Sequence, residues 1–139
     1  MTNRLFRLTI MVPATVTQVR QLLLTPERLP QWNPGIGTLT VRPNGWAITR
    51  SVPALNRYEI LTVTATTRQV VYHSTAGRLT YQLRFDLTPR GTRTQITEEL
   101  VPTTSAVRGL PLTLLMANAR SAFQANLQNL AALMTRTAR

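Results

Sequence analysis

Groups that could move a proton or hold a metal are few in this sequence. His73 is the only histidine and cysteine is absent, which excludes a two-histidine metal site, a thiol nucleophile and any disulfide. As a catalytic base His73 would need a serine and an acid beside it; the plain alternative is a strand histidine facing solvent or satisfied in the core. Glu98 and Glu99 are adjacent, and neighbours on a strand point to opposite faces, so they cannot form the paired carboxylates of a glycosidase. The glycines, at Gly35, Gly37, Gly45, Gly77, Gly91 and Gly109, fall at turns or strand edges and build neither a phosphate loop nor a dinucleotide fingerprint. Nucleotide chemistry is disfavoured. What remains is a small set of polar residues on otherwise apolar faces: Glu98, Tyr81 and Asn126.

Asn126 lies in the longest helical pattern of the chain, residues 111–136. Projected at 100° per residue, Leu112, Met116, Ala119, Phe123, Leu127, Leu130 and Met134 form one stripe, while Asn118, Ser121, Gln124, Gln128 and Arg136 lie off it. Such a helix is roughly 39 Å long and needs a whole sheet to lie on. Asn126 projects into the stripe, where an unpartnered buried amide costs about 1–3 kcal/mol. It is expected to meet water, a ligand or another polar side chain.

The rest of the chain supplies that sheet. Phe6, Leu8, Ile10 and Val12 alternate with Leu5, Arg7, Thr9 and Met11, which predicts a strand over residues 4–12. Pro13 ends it, and Val16, Val19, Leu22 and Leu23 recur at helical spacing within residues 14–24. A second short helix is expected to open with Thr25 as its cap and Pro26 at its first position, and to stop at Pro30. Trp32, Asn33, Pro34 and Gly35 make a rigid corner. Beyond it, strands are predicted over residues 36–42, 46–52, 56–65, 69–76, 79–87 and 92–101. Their turns fall at Pro43-Asn44-Gly45, where Asn and Gly accept positive φ, near Thr67 and Gly77, and at the corner of Pro89, Arg90 and Gly91.

Leu79, Tyr81, Leu83, Phe85 and Leu87 alternate with Thr80, Gln82, Arg84 and Asp86, so one face is covered and the other wet. A four-residue turn at the Pro89 corner brings Ile96, Glu98 and Leu100 onto the covered face, with Glu98 opposite Tyr81. A bulge at Gly91 would shift the register by one and turn Glu99 inward instead. The first register is preferred because it buries Ile96; the alternative for Glu98 is a surface glutamate paired with an arginine. The loop over residues 102–110 is irregular, and Pro111 suits the first turn of the helix after it.

The predicted architecture is α+β: a seven-stranded, curved antiparallel sheet gripping a long C-terminal helix, with two short helices closing one end. One domain over residues 1–139 is expected from the length and the 43% apolar content. A curved sheet cannot meet a straight helix everywhere, so a gap lined by inward side chains follows. The apolar walls expected there are Leu79, Leu83, Phe85, Phe123 and Leu127, with Asn126, Glu98 and Tyr81 as polar groups.

Sixteen basic residues, every one an arginine, stand against five acids and give a net charge of +11. They are scattered, never adjacent, without a basic tail or an interleaved aromatic strip, so contact with anionic membranes or nucleic acid is expected to be weak and non-specific. The total absence of lysine reads as a coding bias, since a phosphate site has no reason to forbid it. No signal peptide or membrane-spanning run is found, and a cytoplasmic location is expected.

The run VPATVTQV at residues 12–19, followed by LTPERLPQWNP at residues 24–34, resembles the opening of the polyketide cyclase/dehydrase-like family, within the START-related, birch-pollen-allergen-like superfamily. The order of elements agrees through Arg136. Where relatives often carry aspartate before the Pro-Glu pair, this chain has Thr25, which keeps a helix cap. The resemblance implies a helix-grip fold with a hydrophobic cavity between sheet and long helix. It also implies binding of lipids, isoprenoids, hormones or polyketides, with catalysis in only some members and no cofactor. Binding or transport of a hydrophobic or amphipathic small molecule is therefore the leading reading. The alternatives are a cofactor-independent cyclase or dehydratase using Glu98, Tyr81 or His73 as acid and base, and a surface adaptor for anionic membranes or RNA. Ligand identity and oligomeric state are left open by the sequence.

Overall fold

The computed structural model describes residues 4–51, 55–103 and 112–137, with side chains of the last helix described over 116–136. The elements run β1 (Phe6–Val12), α1 (Val16–Leu23), a 3-10 helix (Pro26–Gln31), β2 (Ile36–Arg42), β3 (Gly45–Arg50), β4 (Tyr58–Ala65), β5 (Gln69–Thr75), β6 (Tyr81–Arg90), β7 (Arg93–Pro102) and α2 (Leu112–Thr137). All seven strands join one antiparallel sheet in the order β1-β7-β6-β5-β4-β3-β2. The first strand pairs with the last, and β2 to β7 form a meander between hairpin turns.

Period-two patterning decides which face is covered. Phe6, Leu8 and Val12 of β1 and Tyr81, Leu83, Phe85 and Leu87 of β6 are buried, while Arg7, Thr9 and Met11 are exposed. On α2 the covered stripe comprises Ala119, Phe123, Leu127, Leu130, Leu133 and Met134, with Met116 half-buried; Leu112 lies outside the described side chains. Leu133, which is not among the residues of the predicted stripe, is buried with it. The helix packs along β1 and the 3-10 helix, and the Phe123 ring meets the Phe6 ring at 5.2 Å between centroids.

Helix α1 begins with a capping box that the sequence reading passed over. The Thr15 hydroxyl accepts from the Gln18 N–H at 3.2 Å, and the Gln18 side chain accepts from the Thr15 N–H at 2.9 Å. At its other end, the Tyr72 hydroxyl of β5 donates to the Leu23 carbonyl at 2.5 Å, satisfying one of the orphan carbonyls of a helix terminus. The 3-10 helix departs from expectation in two ways. Thr25 makes no side-chain cap; its hydroxyl instead donates back to the Gln21 carbonyl at 2.8 Å. Pro30 does not end the helix, which runs to Gln31, because the backbone bonds from Arg28 to Thr25 and from Trp32 to Leu29 never call on the missing proline N–H.

Two turns also differ from the sequence reading. Of Asn44 and Gly45, only the glycine has positive φ, at +155°, and a Cβ there would meet the Leu61 carbonyl oxygen at 2.3 Å. The strands β6 and β7 run past Pro89 to pair Arg90 with Arg93, so the turn is the two residues Gly91 and Thr92, with Gly91 at φ +64°. Glu98 consequently pairs with Phe85, not Tyr81. The expected partner was wrong by an even number of positions, which leaves the face unchanged, and Glu98 is 1% exposed. The irregular loop expected at residues 102–110 and the role of Pro111 fall mostly outside the described residues. Among the described residues no helix is long and apolar enough to cross a membrane.

Candidate functional site

Where α2 crosses the sheet beside the Asn33-Pro34-Gly35 corner, it presents Ala122 and Ala125 next to Phe123 and Asn126. These small side chains leave a partly open cavity of about 300 Å³, closed on the sheet side by Arg50 at the end of β3 and Tyr81 at the start of β6. A smaller inner pocket of about 20 Å³ shares Asn33, Arg50, Tyr81, Phe123 and Asn126 with it. The inner pocket also takes in Trp32, Glu59, Tyr72, Leu83 and Glu98.

One wall of this space is a satisfied ionic network. Arg50 donates from Nε to Glu59 Oε1 at 3.0 Å and closes a second, shorter bond from Nη2 to the same oxygen, while Nη1 reaches Asn33 Oδ1 at 3.5 Å. Glu59 Oε2 accepts from the Ser74 hydroxyl at 2.7 Å, the Tyr81 hydroxyl at 2.9 Å and Asn56 Nδ2 at 3.2 Å. Burial pushes the Glu59 carboxyl up, but the Arg50 charge and the hydrogen bonds from Ser74, Arg50 and Asn56 outweigh it and hold it below the ordinary range. Burial likewise opposes the charge on Arg50, and Glu59 and Tyr81 more than restore it. Tyr81 is driven up, by burial first and by the Glu59 charge second, so its hydroxyl stays protonated. That hydroxyl is committed to Glu59, which leaves Tyr81 a wall of the cavity and a poor acid or base.

Glu98 is the opposite case. It lies on β7 between Leu8 of β1 and Phe85 of β6, with no cation in hydrogen-bond reach, and its buried Oε1 has no partner among the described residues. Burial raises its carboxyl well above the ordinary range and so favours its neutral, protonated form. A stability consequence follows. Because the folded value is raised, the native state holds a proton that the unfolded chain releases above about pH 4.3, and stability falls as pH rises from there towards the folded value. Glu98→Gln removes this dependence. Urea midpoints should coincide for the two proteins near pH 4, and the variant should gain up to about 1.4 kcal/mol for each pH unit above that within the window. Glu59 contributes with the opposite sign but equally to both proteins. A gap that does not change with pH would contradict a neutral Glu98.

Of the residues singled out from sequence, Glu98, Tyr81, Asn126, Leu83 and Phe123 come together around this space. Leu79, Phe85 and Leu127 are buried in the core but do not line it. Phe85 is held edge-on between Tyr72 at 5.2 Å and Trp32 at 6.4 Å. Leu79 precedes β6, and its N–H and carbonyl are clamped at 2.8 Å by the Asn56 side chain. Gly77 makes room for that clamp, since a Cβ there would meet Asn56 at 2.5 Å. His73 points to the other side of the sheet, half-buried, with Nε2 2.9 Å from the Thr64 hydroxyl, so the structure does not bring it to the cavity.

The sequence reading missed Arg50, Glu59, Ser74, Asn56 and the inward role of Trp32 and Asn33. Strand parity was the available signal: Glu59 is in phase with Leu61, and Arg50 with Ile48. Among the described residues no group of three or more histidine, cysteine, aspartate or glutamate side chains gathers as a metal site.

Comparison with known proteins places the fold. A START superfamily protein from Mycobacterium smegmatis superposes with a TM-score of 0.80 at 17% identity, covering 97% of this chain and 99% of its own. The Zhui aromatase/cyclase from Streptomyces sp. R1128 gives a TM-score of 0.77 at 14% identity, covering 100% of this chain and 97% of its own. The di-domain ARO/CYC StfQ of the steffimycin biosynthetic pathway gives 0.73 at 14% identity, with 96% of this chain matched to 51% of that one. At these identities the likeness is one of fold. No curated protein matches the sequence. The family profile described as "Polyketide cyclase / dehydrase and lipid transport" matches residues 4–135, and the chain belongs to that family.

Proposed function

We propose that the chain binds a hydrophobic or amphipathic small molecule, of polyketide, isoprenoid or short lipid type, in the cavity between α2 and the sheet, as a carrier or sensor. The observation that carries this reading is the cavity itself, about 300 Å³ with mainly apolar walls, where Asn126 stands as a polar group outside the Arg50–Glu59–Tyr81 network. Ligand sites have this composition, in which apolar area supplies most of the affinity and a few polar groups orient the molecule. The volume lies at the low end of the range for such sites and suits a body of two or three rings better than a long acyl chain. Asn126 is half-buried and faces this space, as an amide on an apolar stripe requires. Native mass spectrometry of the purified protein, followed by equilibrium dialysis with fused-ring aromatics, tests the reading. A bound small molecule, or micromolar uptake weakened by Asn126→Leu, is expected; no uptake by the folded protein would refute it.

A second reading is a cofactor-independent cyclase or dehydratase. Two fold neighbours bear aromatase/cyclase names, and Glu98, which lines the inner pocket and whose carboxyl is raised by burial, has the character of a proton donor. Turnover separates the two readings. If Glu98→Gln keeps affinity for a cyclisable polyketone while losing its conversion, the enzyme is favoured; if wild type binds without converting it, the carrier is.

A further inference from the structure

Two residues that line the inner pocket each carry an unexplained atom. Trp32, at 2% exposure, and Glu98, at 1%, both line it, and Trp32 Nε1 and Glu98 Oε1 are each buried with no hydrogen-bond partner among the described residues. Native structures rarely leave such groups unmet, because each lost bond costs the full desolvation of the group. Their positions come from separate parts of the chain: Trp32 ends the 3-10 helix, and Glu98 stands in the middle of β7. The pocket that joins them, about 20 Å³, has room for one oxygen-sized group. It shares Tyr81, Phe123 and Asn126 with the larger cavity, so an oxygen there can belong to a molecule whose body lies outside.

The charged and titratable groups around this point limit what the oxygen can be. Arg50 of β3 and Glu59 of β4 satisfy each other, Tyr81 of β6 donates to Glu59, and Tyr72 of β5 donates to Leu23. Both hydroxyls already donate, and among the described residues no hydrogen bond or ion pair joins a cation to Glu98 that could hold an anionic group there. The indole N–H can only donate, and a neutral carboxyl offers a second donor. A carbonyl oxygen has two lone pairs and no proton of its own, so it meets both donors and leaves nothing over.

We propose that Trp32 Nε1 and the Glu98 carboxyl together donate hydrogen bonds to a carbonyl oxygen at the leading tip of the ligand. This rests on the cavity reading above and narrows it: the ligand is an apolar ring body bearing a ketone, aldehyde or ester carbonyl that enters first. Any water now held between the two groups is displaced by an oxygen that reproduces its hydrogen bonds.

The test uses 2-acetylnaphthalene and 2-isopropenylnaphthalene, equal in shape, the second having a methylene in place of the carbonyl oxygen. Equilibrium dialysis gives the ketone-to-alkene affinity ratio for wild type, Glu98→Gln, Glu98→Leu and Trp32→Phe. The ratio is expected to fall about tenfold in Glu98→Leu and about threefold in Trp32→Phe, and to stay close to wild type in Glu98→Gln, whose amide still donates. Affinity for the alkene should change little in any of them. Glu98→Leu removes an unpartnered buried polar group and so should fold; a thermal melt of each variant confirms that it has. If both probes bind and the ratio is the same in Glu98→Leu as in wild type, the carbonyl site is overturned while the cavity stands. If folded wild type takes up neither probe, both proposals fail together.

Discussion

Replacing Arg50 with leucine is expected to destabilise the protein by about 3–5 kcal/mol, the usual cost of stranding one partner of a buried ion pair. The Arg50 side chain is 11% exposed and that of Glu59 is 1% exposed, so water screens the pair little. Without the guanidinium, burial acts on Glu59 unopposed by any cation, and the carboxylate must either stay charged at a high cost or take up a proton. The loss should therefore be largest near pH 7. It should shrink as pH falls through the carboxylate range, because the wild-type protein loses there the stability that its lowered Glu59 contributes above it. Substituting both partners with leucine should recover only part of the loss, since Ser74, Tyr81 and Asn56 would then lack their common acceptor. Urea unfolding of the single and double variants at pH 7 and pH 4 checks this. A change below about 1 kcal/mol for Arg50→Leu would mean that the pair behaves as an exposed salt bridge.

Truncation of Phe123 to alanine should also cost about 3–5 kcal/mol. Phe123 is 5% exposed, stacks at a tilt on Phe6 of β1 and lines both the cavity and the inner pocket. The loss combines the transfer of a large ring from water with the void its removal leaves, and the void opens into space that is already there. Little collapse around it is expected, which puts the cost towards the upper part of the range. The same change should weaken retention of an apolar ligand, because the ring is one of its walls. A thermal unfolding curve unmoved by Phe123→Ala would show that the α2 stripe does not hold the helix to the sheet.

Element order and the covered faces could be read from the chain because both follow from periodicity. The stripe through Ala119, Phe123, Leu127 and Leu130 repeats at helical spacing, and the alternation through Leu83, Phe85 and Leu87 repeats every second residue; each survives errors of a residue or two at element ends. The exact pairing of β6 with β7 did not follow, because it depends on the length of one turn. Pro89 suggested a break, whereas Gly91 at positive φ allows the strands to continue to Arg90 and Arg93. Thr25 illustrates a similar limit, since a good capping residue still chooses among nearby carbonyls and amides, and here it turned back to Gln21.

The site was half legible. Glu98 and Asn126 drew attention because a polar residue on an apolar face stands out within one element. Glu59 and Arg50 were equally out of place by parity, but the network that explains them draws Asn33, Asn56, Ser74 and Tyr81 from separated parts of the chain. Long-range convergence of this kind leaves no local pattern. The inner pocket is harder still to foresee, being a mismatch of about 20 Å³ in packing that no composition or spacing encodes.

The most direct measurement of the central claim, that the space between α2 and the sheet takes an apolar ligand, is an NMR titration of isotope-labelled protein with 2-acetylnaphthalene. Saturable shifts confined to Asn33, Arg50, Tyr81, Phe123, Asn126 and their immediate neighbours are predicted, with the outer-face His73 and Thr64 unmoved. Shifts spread over the outer face of the sheet, or binding that leaves those five residues unchanged, would contradict it.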